Sequence, residues 1–376
     1  MIRNPSSRKI ILIIGTRPEA IKVAPVVHAL LNSKELEPVL VVTGQHREMI
    51  DPILSFFDLH PDYDFNLIEQ GLSPNGFAGE CLKSLDNVFN RERPVLALVH
   101  GDTLTSSIGA FAAFQRGIKV AHLEAGLRTY NKQAPFPEEV NRQITARVAD
   151  VHFAPTNSAR SNLMSERISD ENIFVIGNTV LDAIRIAKRK LERYESPRLS
   201  ELKSLIDPSK KLILVTGHRR ESFGAGIRQI CVGLRILAAR ADIQIVYPVH
   251  LNPNVKSVVS EELEGIENLH LIDPVGYPEF VWLMLNSYVI LSDSGGIQEE
   301  ASFLGKPLLI TREITERPEV IENGAAFLVG TESNRIVSMV ERLIKDSDLY
   351  RVMSTAGCPF GDGHSSERVE KILSRR

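Results

Sequence analysis

Three carboxylates and a histidine stand where general acid–base chemistry could be done, each just beyond an apolar run or at a chain turn. Asp102 lies in His100-Gly101-Asp102-Thr103, and Glu124 in His122-Leu123-Glu124-Ala125-Gly126. An aspartate ahead of Thr103 has an ordinary role open to it, capping a helix that begins there. Glu124 has little structural reason to sit between an apolar run and a small-residue turn. Glu138 and Glu139 follow Pro135-Phe136-Pro137, and one of the two can simply favour the dipole of the helix they open. His218, in Thr216-Gly217-His218-Arg219-Arg220, has two cations beside an imidazole, which suits a phosphate or a leaving oxygen. A lone histidine is more often structural; its flanking arginines strengthen the functional reading.

A second set of residues suits anions. The segment Gly15-Thr16-Arg17-Pro18-Glu19-Ala20-Ile21-Lys22 puts free amides and two cations, Arg17 and Lys22, at a helix start with proline in the first turn. Taken alone, the same residues describe an ordinary strand-to-helix turn with solvated cations. The stretch Ser292-Asp293-Ser294-Gly295-Gly296 is more telling, because Ser294, Gly295 and Gly296 expose backbone amides at the mouth of a helix whose dipole favours a diphosphate. Glu300, about one turn on, can accept hydrogen bonds from ribose hydroxyls. No dinucleotide cofactor is implied: Gly224-Ala225-Gly226 lacks the third glycine of that fingerprint. Nor is a metal. Cys81, Cys231 and Cys358 are odd in number and far apart, and the histidines form no ligand pair.

To act together, these side chains must meet at one rim of a sheet. Apolar runs at 10–14, 38–42, 95–99, 119–122 and 152–154 read as buried parallel strands separated by helical segments. The pattern restarts at 212–216, 243–248, 269–272, 289–292 and 307–310. It predicts an α/β fold of two Rossmann-like domains facing a central cleft, one over residues 1–178 and the other over 179–361. Functional loops in such sheets lie beyond the carboxyl ends of the strands, where the chemistry-bearing segments fall. The tail, residues 362–376, carries Val369, Ile372 and Leu373 at helical spacing and is expected to pack back on the N-terminal domain.

With 376 residues, 43% hydrophobic and 24% charged, the chain can build two cores of ordinary size. Its formal net charge of −3 offers no basic field to a nucleic-acid backbone. No apolar run approaches a membrane span and the start is polar, so the expected compartment is the cytoplasm.

The strings GTRPEAIK, VHGDT, EAGLRT, PEE before Asn141-Arg142, GNTV, TGHRRESFG, YPVHLNPNV, DSGGIQEE and TERPE resemble the non-hydrolysing UDP-N-acetylglucosamine 2-epimerases in order and spacing, over nearly the whole chain. The resemblance implies a glycosyltransferase-B-like fold, a homodimer, no cofactor, and UDP held mainly by the C-terminal domain. It assigns nucleotide and phosphate contacts to Arg17, Lys22, Ser294, Gly295, Gly296, Glu300 and Arg317, and sugar-side chemistry to Asp102, Glu124, Glu138 and His218. Phe280 would lie beside the uracil. The implied reaction converts UDP-N-acetylglucosamine to UDP-N-acetylmannosamine for polysaccharide precursors, by elimination and re-addition of UDP through a 2-acetamidoglucal. The alternatives are a UDP-sugar-dependent glycosyltransferase of the same fold and a hydrolysing 2-epimerase.

Two departures accompany the match. Val275 stands where many members carry Gln. Members are also commonly activated by a second substrate molecule through a Gln-His loop, here Gln45 and His46, and an arginine on a following helix. Glu80 occupies that arginine position.

Overall fold

The computed structural model describes residues 7–44, 47–67, 71–217 and 224–376. The apolar runs form two parallel sheets. In the first, β1 (Arg8–Ile14), β2 (Leu36–Val42), β3 (Tyr63–Asp64), β4 (Leu96–His100), β5 (Lys119–Leu123), β6 (Val151–Ala154) and β7 (Ile173–Val175) take the order β3-β2-β1-β4-β5-β6-β7. In the second, β8 (Lys211–Thr216), β9 (Ile243–Pro248), β10 (Leu269–Ile272), β11 (Val289–Ser292), β12 (Leu308–Ile310) and β13 (Ala326–Leu328) take the order β10-β9-β8-β11-β12-β13. In both orders the chain lays down three strands in one direction and then crosses to the other side of the first of them, as in a doubly wound sheet, and so creates a switch point beside that strand where adjacent loops diverge. In the first sheet this point lies between β1 and β4, paired through Ile11↔Ala97 and Leu12↔Leu98. In the second it lies between β8 and β11, paired through Leu291↔Val215 and Ser292↔Thr216.

Central strands are covered by helices on both faces, which is why they read as unbroken apolar runs: Ile10 to Ile14 are all at most 2% exposed. The sequence pattern misses β3, β7 and β13. All three are edge strands of two or three residues with half-exposed positions, so they have no need of a continuous apolar run.

The chain divides into two compact units, Met1–Ile186 with Phe360–Arg376, and Ala187–Pro359. The first division falls within helix Thr179–Leu191, eight residues beyond the expected 178/179 boundary. The first turns of that helix bury Val180, Leu181, Ala183 and Ile184 and so join the first core. The second division, at 359/360, comes two residues before the expected 361/362. The last helix, Ser365–Ser374, packs on helix Arg17–Leu31, burying Val369 and Leu373. Among the described residues, no helix is long and apolar enough to cross a membrane.

Candidate active site

At the first switch point a single buried carboxylate joins two loops. Glu19, 1% exposed, accepts from Gly15 N at 2.9 Å, Thr16 N at 2.8 Å and Thr16 Oγ1 at 2.9 Å through Oε2. Its Oε1 accepts from Thr103 Oγ1 at 2.7 Å. The turn after β1 and the turn after β4 are therefore tied to one side chain. Burial pushes the Glu19 carboxyl up to about 7, against the opposing pull of these hydrogen bonds. Gly15 admits the arrangement because a Cβ there would stand 2.1 Å from Thr105 Oγ1.

Asp102 does not cap the next helix. Thr103 does, accepting from Ser106 N at 3.0 Å ahead of helix Leu104–Gln115. Asp102 is instead gripped from helix Glu138–Val148: Arg142 donates to its carboxylate, and Asn141 Nδ2 donates to its carbonyl at 3.0 Å. The two acids opening that helix separate cleanly. Glu139 is fully buried and accepts from Thr129 N and Tyr130 N, both at 3.1 Å, and from Gln143 Nε2 at 2.8 Å. Burial opposes its charge, yet these bonds and Arg142 together hold its carboxyl below the usual range. Glu139 is thus a loop fastener, whereas Glu138 is half-exposed beside it.

Glu124 follows β5 with φ +59°, in the left-handed region that a non-glycine residue adopts at a cost of about 1–2 kcal/mol. Its Oε1 receives Lys22 Nζ and, at 3.0 Å, Asn178 Nδ2; its Oε2 lies 3.5 Å from His100 Nε2. Burial lowers His100 to about 4, so its imidazole is neutral at neutral pH. His122, beneath, is likewise lowered by burial, to about 3, and its Nε2 lies 2.7 Å from Gly101 O. Lys22, Arg17, Asp102, Glu124 and Glu138 all stand at the carboxyl rim of the first sheet.

In the second unit, β11 empties into Ser294 and helix Gly295–Phe303. Ser292 Oγ lies 2.7 Å from Thr216 Oγ1 and accepts from Ser294 N at 3.0 Å, joining the two switch-point strands. Arg317 lies over the helix mouth, its Nε 2.5 Å from Glu299 Oε1. A Cβ on Gly295 would meet Arg317 Nη1 at 2.4 Å, so any side chain there would displace the guanidinium; Gly296 faces open space. Glu300 follows, half-buried on the same helix. Phe280 lies half-buried on helix Tyr277–Asn286, which follows β10 and packs against β8, the strand beside β11. His218, Gln45 and His46 lie outside the described residues. Glu80 lies on helix Pro74–Glu92, 3.6 Å from Lys83 Nζ.

A family model described as UDP-N-acetylglucosamine 2-epimerase matches residues 28–374. The UDP-N-acetylglucosamine 2-epimerase of Campylobacter jejuni is 48% identical over 372 residues, 97% of each chain. This chain belongs to the UDP-N-acetylglucosamine 2-epimerase family. The crystal structure of UDP-GlcNAc 2-epimerase from Neisseria meningitidis bound to UDP-GlcNAc is similar at TM-score 0.89 and 41% identity, covering 98% of this chain and 100% of that one. The glycotransferase of kitacinnamycin, at 12% identity, TM-score 0.67 and 99% coverage of both chains, shares the glycosyltransferase-B-like fold alone.

The epimerase-family motifs also contain residues whose roles come from the fold rather than from their own type. Glu19 was legible as the Thr16-x-x-Glu19 spacing of a capping box. Arg142 and Asn141 carry no local signal, because their partner Asp102 lies about 40 residues away and meets them only through the fold. Among the described residues no group of His, Cys, Asp or Glu side chains is arranged to hold a metal. What the first rim offers is paired carboxylates with separate cations, the equipment for moving protons beside an anionic substrate.

Proposed function

We propose that this chain interconverts UDP-N-acetylglucosamine and UDP-N-acetylmannosamine. The hydrogen on carbon 2 of an N-acetylhexosamine is not next to a carbonyl, so its simple removal would leave an unstabilised carbanion. Elimination avoids this. A base takes the carbon-2 proton as the carbon 1–oxygen bond breaks, UDP departs with the electron pair, and a 2-acetamidoglucal remains. Re-addition delivers a proton to the opposite face of carbon 2 and re-forms the bond to UDP, so atoms balance without a cofactor.

The observation that carries this reading is the carboxylate pair Glu124 and Asp102 at one rim, each with its own cation, Lys22 or Arg142. Each cation balances the charge of its carboxylate at a rim that is to receive an anionic substrate. Glu138, half-exposed at the start of its helix, completes the acid–base group, and His218 is assigned to the leaving phosphate oxygen. In the second unit Ser294, Gly295, Gly296 and Arg317 are assigned to the diphosphate, Glu300 to the ribose and Phe280 to the uracil; Arg17 is likewise assigned to a phosphate contact. The reading extends to a homodimer working in the cytoplasm, and light scattering on the pure protein tests the assembly.

The decisive experiment incubates the protein with UDP-N-acetylglucosamine alone in heavy water and follows it by proton NMR. Product UDP-N-acetylmannosamine carrying deuterium at carbon 2 is expected. Full retention of the original hydrogen refutes the elimination. Free N-acetylmannosamine would mark a hydrolysing enzyme, and no turnover without an acceptor would mark a transferase. Asp102→Asn, Glu124→Gln and Glu138→Gln should each reduce turnover by about 10²-fold or more in a folded protein.

A further inference from the structure

Asn178 is a buried amide that touches Glu124 and has no part in the proton transfers above. It lies in the turn between β7 and helix Thr179–Leu191, 3% exposed. Its Oδ1 accepts from Val180 N at 3.1 Å, while its Nδ2 donates to Glu124 Oε1 at 3.0 Å. The backbone donor thereby fixes which end of the amide faces the carboxylate, since a flipped side chain would set its oxygen against Glu124 and its NH₂ against an N–H.

The turn itself is held by the end of the chain. Asn178 N donates to Phe360 O at 2.7 Å. On the other side, Asp182 accepts from Ser365 N at 3.1 Å, Ser366 N at 2.9 Å and Ser366 Oγ at 2.6 Å, and Ser365 Oγ donates to Ile176 O at 2.8 Å. Gly177, at φ +88°, lets Phe360 approach: a Cβ there would stand 2.8 Å from both Phe360 O and Ser365 Oγ. Residues 360–366 therefore brace the turn on both sides of Asn178.

We infer that Asn178 is a positioning residue for Glu124, braced by the C-terminal segment 360–366, which makes the tail part of the active-site support. This rests on the reading of Glu124 as an acid–base residue. The charged or titratable groups facing Glu124 include Lys22 from helix Arg17–Leu31 and His100 from the end of β4. Lys22 favours one protonation state of Glu124. Asn178 does not discriminate so sharply, because its N–H is satisfied by a carboxylate oxygen or by the carbonyl oxygen of the neutral acid. A neutral donor can thus hold the side chain in one direction through a cycle in which Glu124 gains and loses a proton, on a backbone already forced into the left-handed region.

The test compares Asn178→Asp, Asn178→Ala and Glu124→Gln in the full-length protein. Asn178→Asp keeps the shape and sets a second carboxylate against Glu124, so like charges must share a proton and the limb of the kcat–pH profile that reports Glu124 should move up by about one pH unit or more. Asn178→Ala should lower kcat about tenfold or more with UDP affinity, read by calorimetry, within about twofold of the parent. A loss in affinity matching the loss in kcat would mean general damage and overturn the inference. So would an unmoved pH profile in Asn178→Asp, or a kcat within about twofold in Asn178→Ala, while Glu124→Gln is inactive. A near-normal Glu124→Gln would instead sink the reading of Glu124 itself. Should Asn178→Asp fail to fold, Ser366→Ala probes the brace: a fall in kcat with unchanged UDP affinity supports the inference, and an unchanged kcat overturns it.

Discussion

Glu19 should make the protein less stable as the solution becomes more alkaline across neutrality, and Glu19→Gln should abolish that trend. Four donors converge on the carboxylate, yet burial still raises its carboxyl from the ordinary 4.5 to about 7. Below pH 4.5 the group is protonated in both folded and unfolded chains and affects neither. As pH rises through 4.5 the unfolded chain releases its proton while the folded chain retains it, so the unfolded state gains. The difference accumulates until the folded carboxyl ionises near 7 and then levels off at about 3 kcal/mol, most of which falls between pH 5 and pH 8. Glutamine cannot titrate, so wild-type stability minus variant stability should fall by that amount over the same interval. Urea unfolding followed by far-ultraviolet circular dichroism measures it, because the single tryptophan, Trp282, lies in the other unit and would report the wrong core. A stability difference constant to within about 1 kcal/mol from pH 5 to pH 8, or one that grows in the wild type's favour, would refute the reasoning. A residue carrying such a cost is retained for what it holds, here the turns that carry Arg17 and Asp102.

Gly295→Ala should push the Arg317 guanidinium off the helix mouth, since the new Cβ would stand 2.4 Å from Nη1; UDP affinity by calorimetry should fall about tenfold with little change in melting temperature. Truncation after Gly357 removes helix Ser365–Ser374 together with the partners of Asp182 and Asn178, and should lower the melting temperature by several degrees and reduce turnover; an unchanged protein would contradict it. In the reverse reaction from pure UDP-N-acetylmannosamine, a hyperbolic rate without a lag is expected, because Glu80 would repel a second diphosphate where a cation attracts it. Strict dependence on added UDP-N-acetylglucosamine would show that a regulatory site involving Gln45 and His46 is intact.

Fold class, most of the strands and the family were legible in the residues themselves. A parallel strand buried on both faces must be apolar throughout, so β1, β4 and β11 announce themselves, whereas the edge strands β3, β7 and β13 need no such run. Glycine-rich turns at strand ends were legible for a similarly local reason: the backbone conformation or close approach they serve is satisfied within a few residues.

Only the tertiary structure decided what each acid does. Glu138 and Glu139 are neighbours of one type, and their separation into a half-exposed acid and a buried fastener depends on the loop at 129–130 folding back over one of them. Asp102 was a possible cap until Thr103 took that place and Arg142, about 40 residues on, took the carboxylate. The same holds for Glu124, whose partners come from helix Arg17–Leu31, the end of β4 and the turn at Asn178, itself held by Phe360. Apolar periodicity is a local demand and can be read along a chain. A carboxylate's charge and direction are set by whichever donors surround it, and the donors to Glu124 come from segments up to 102 residues away along the chain, the separation of Lys22.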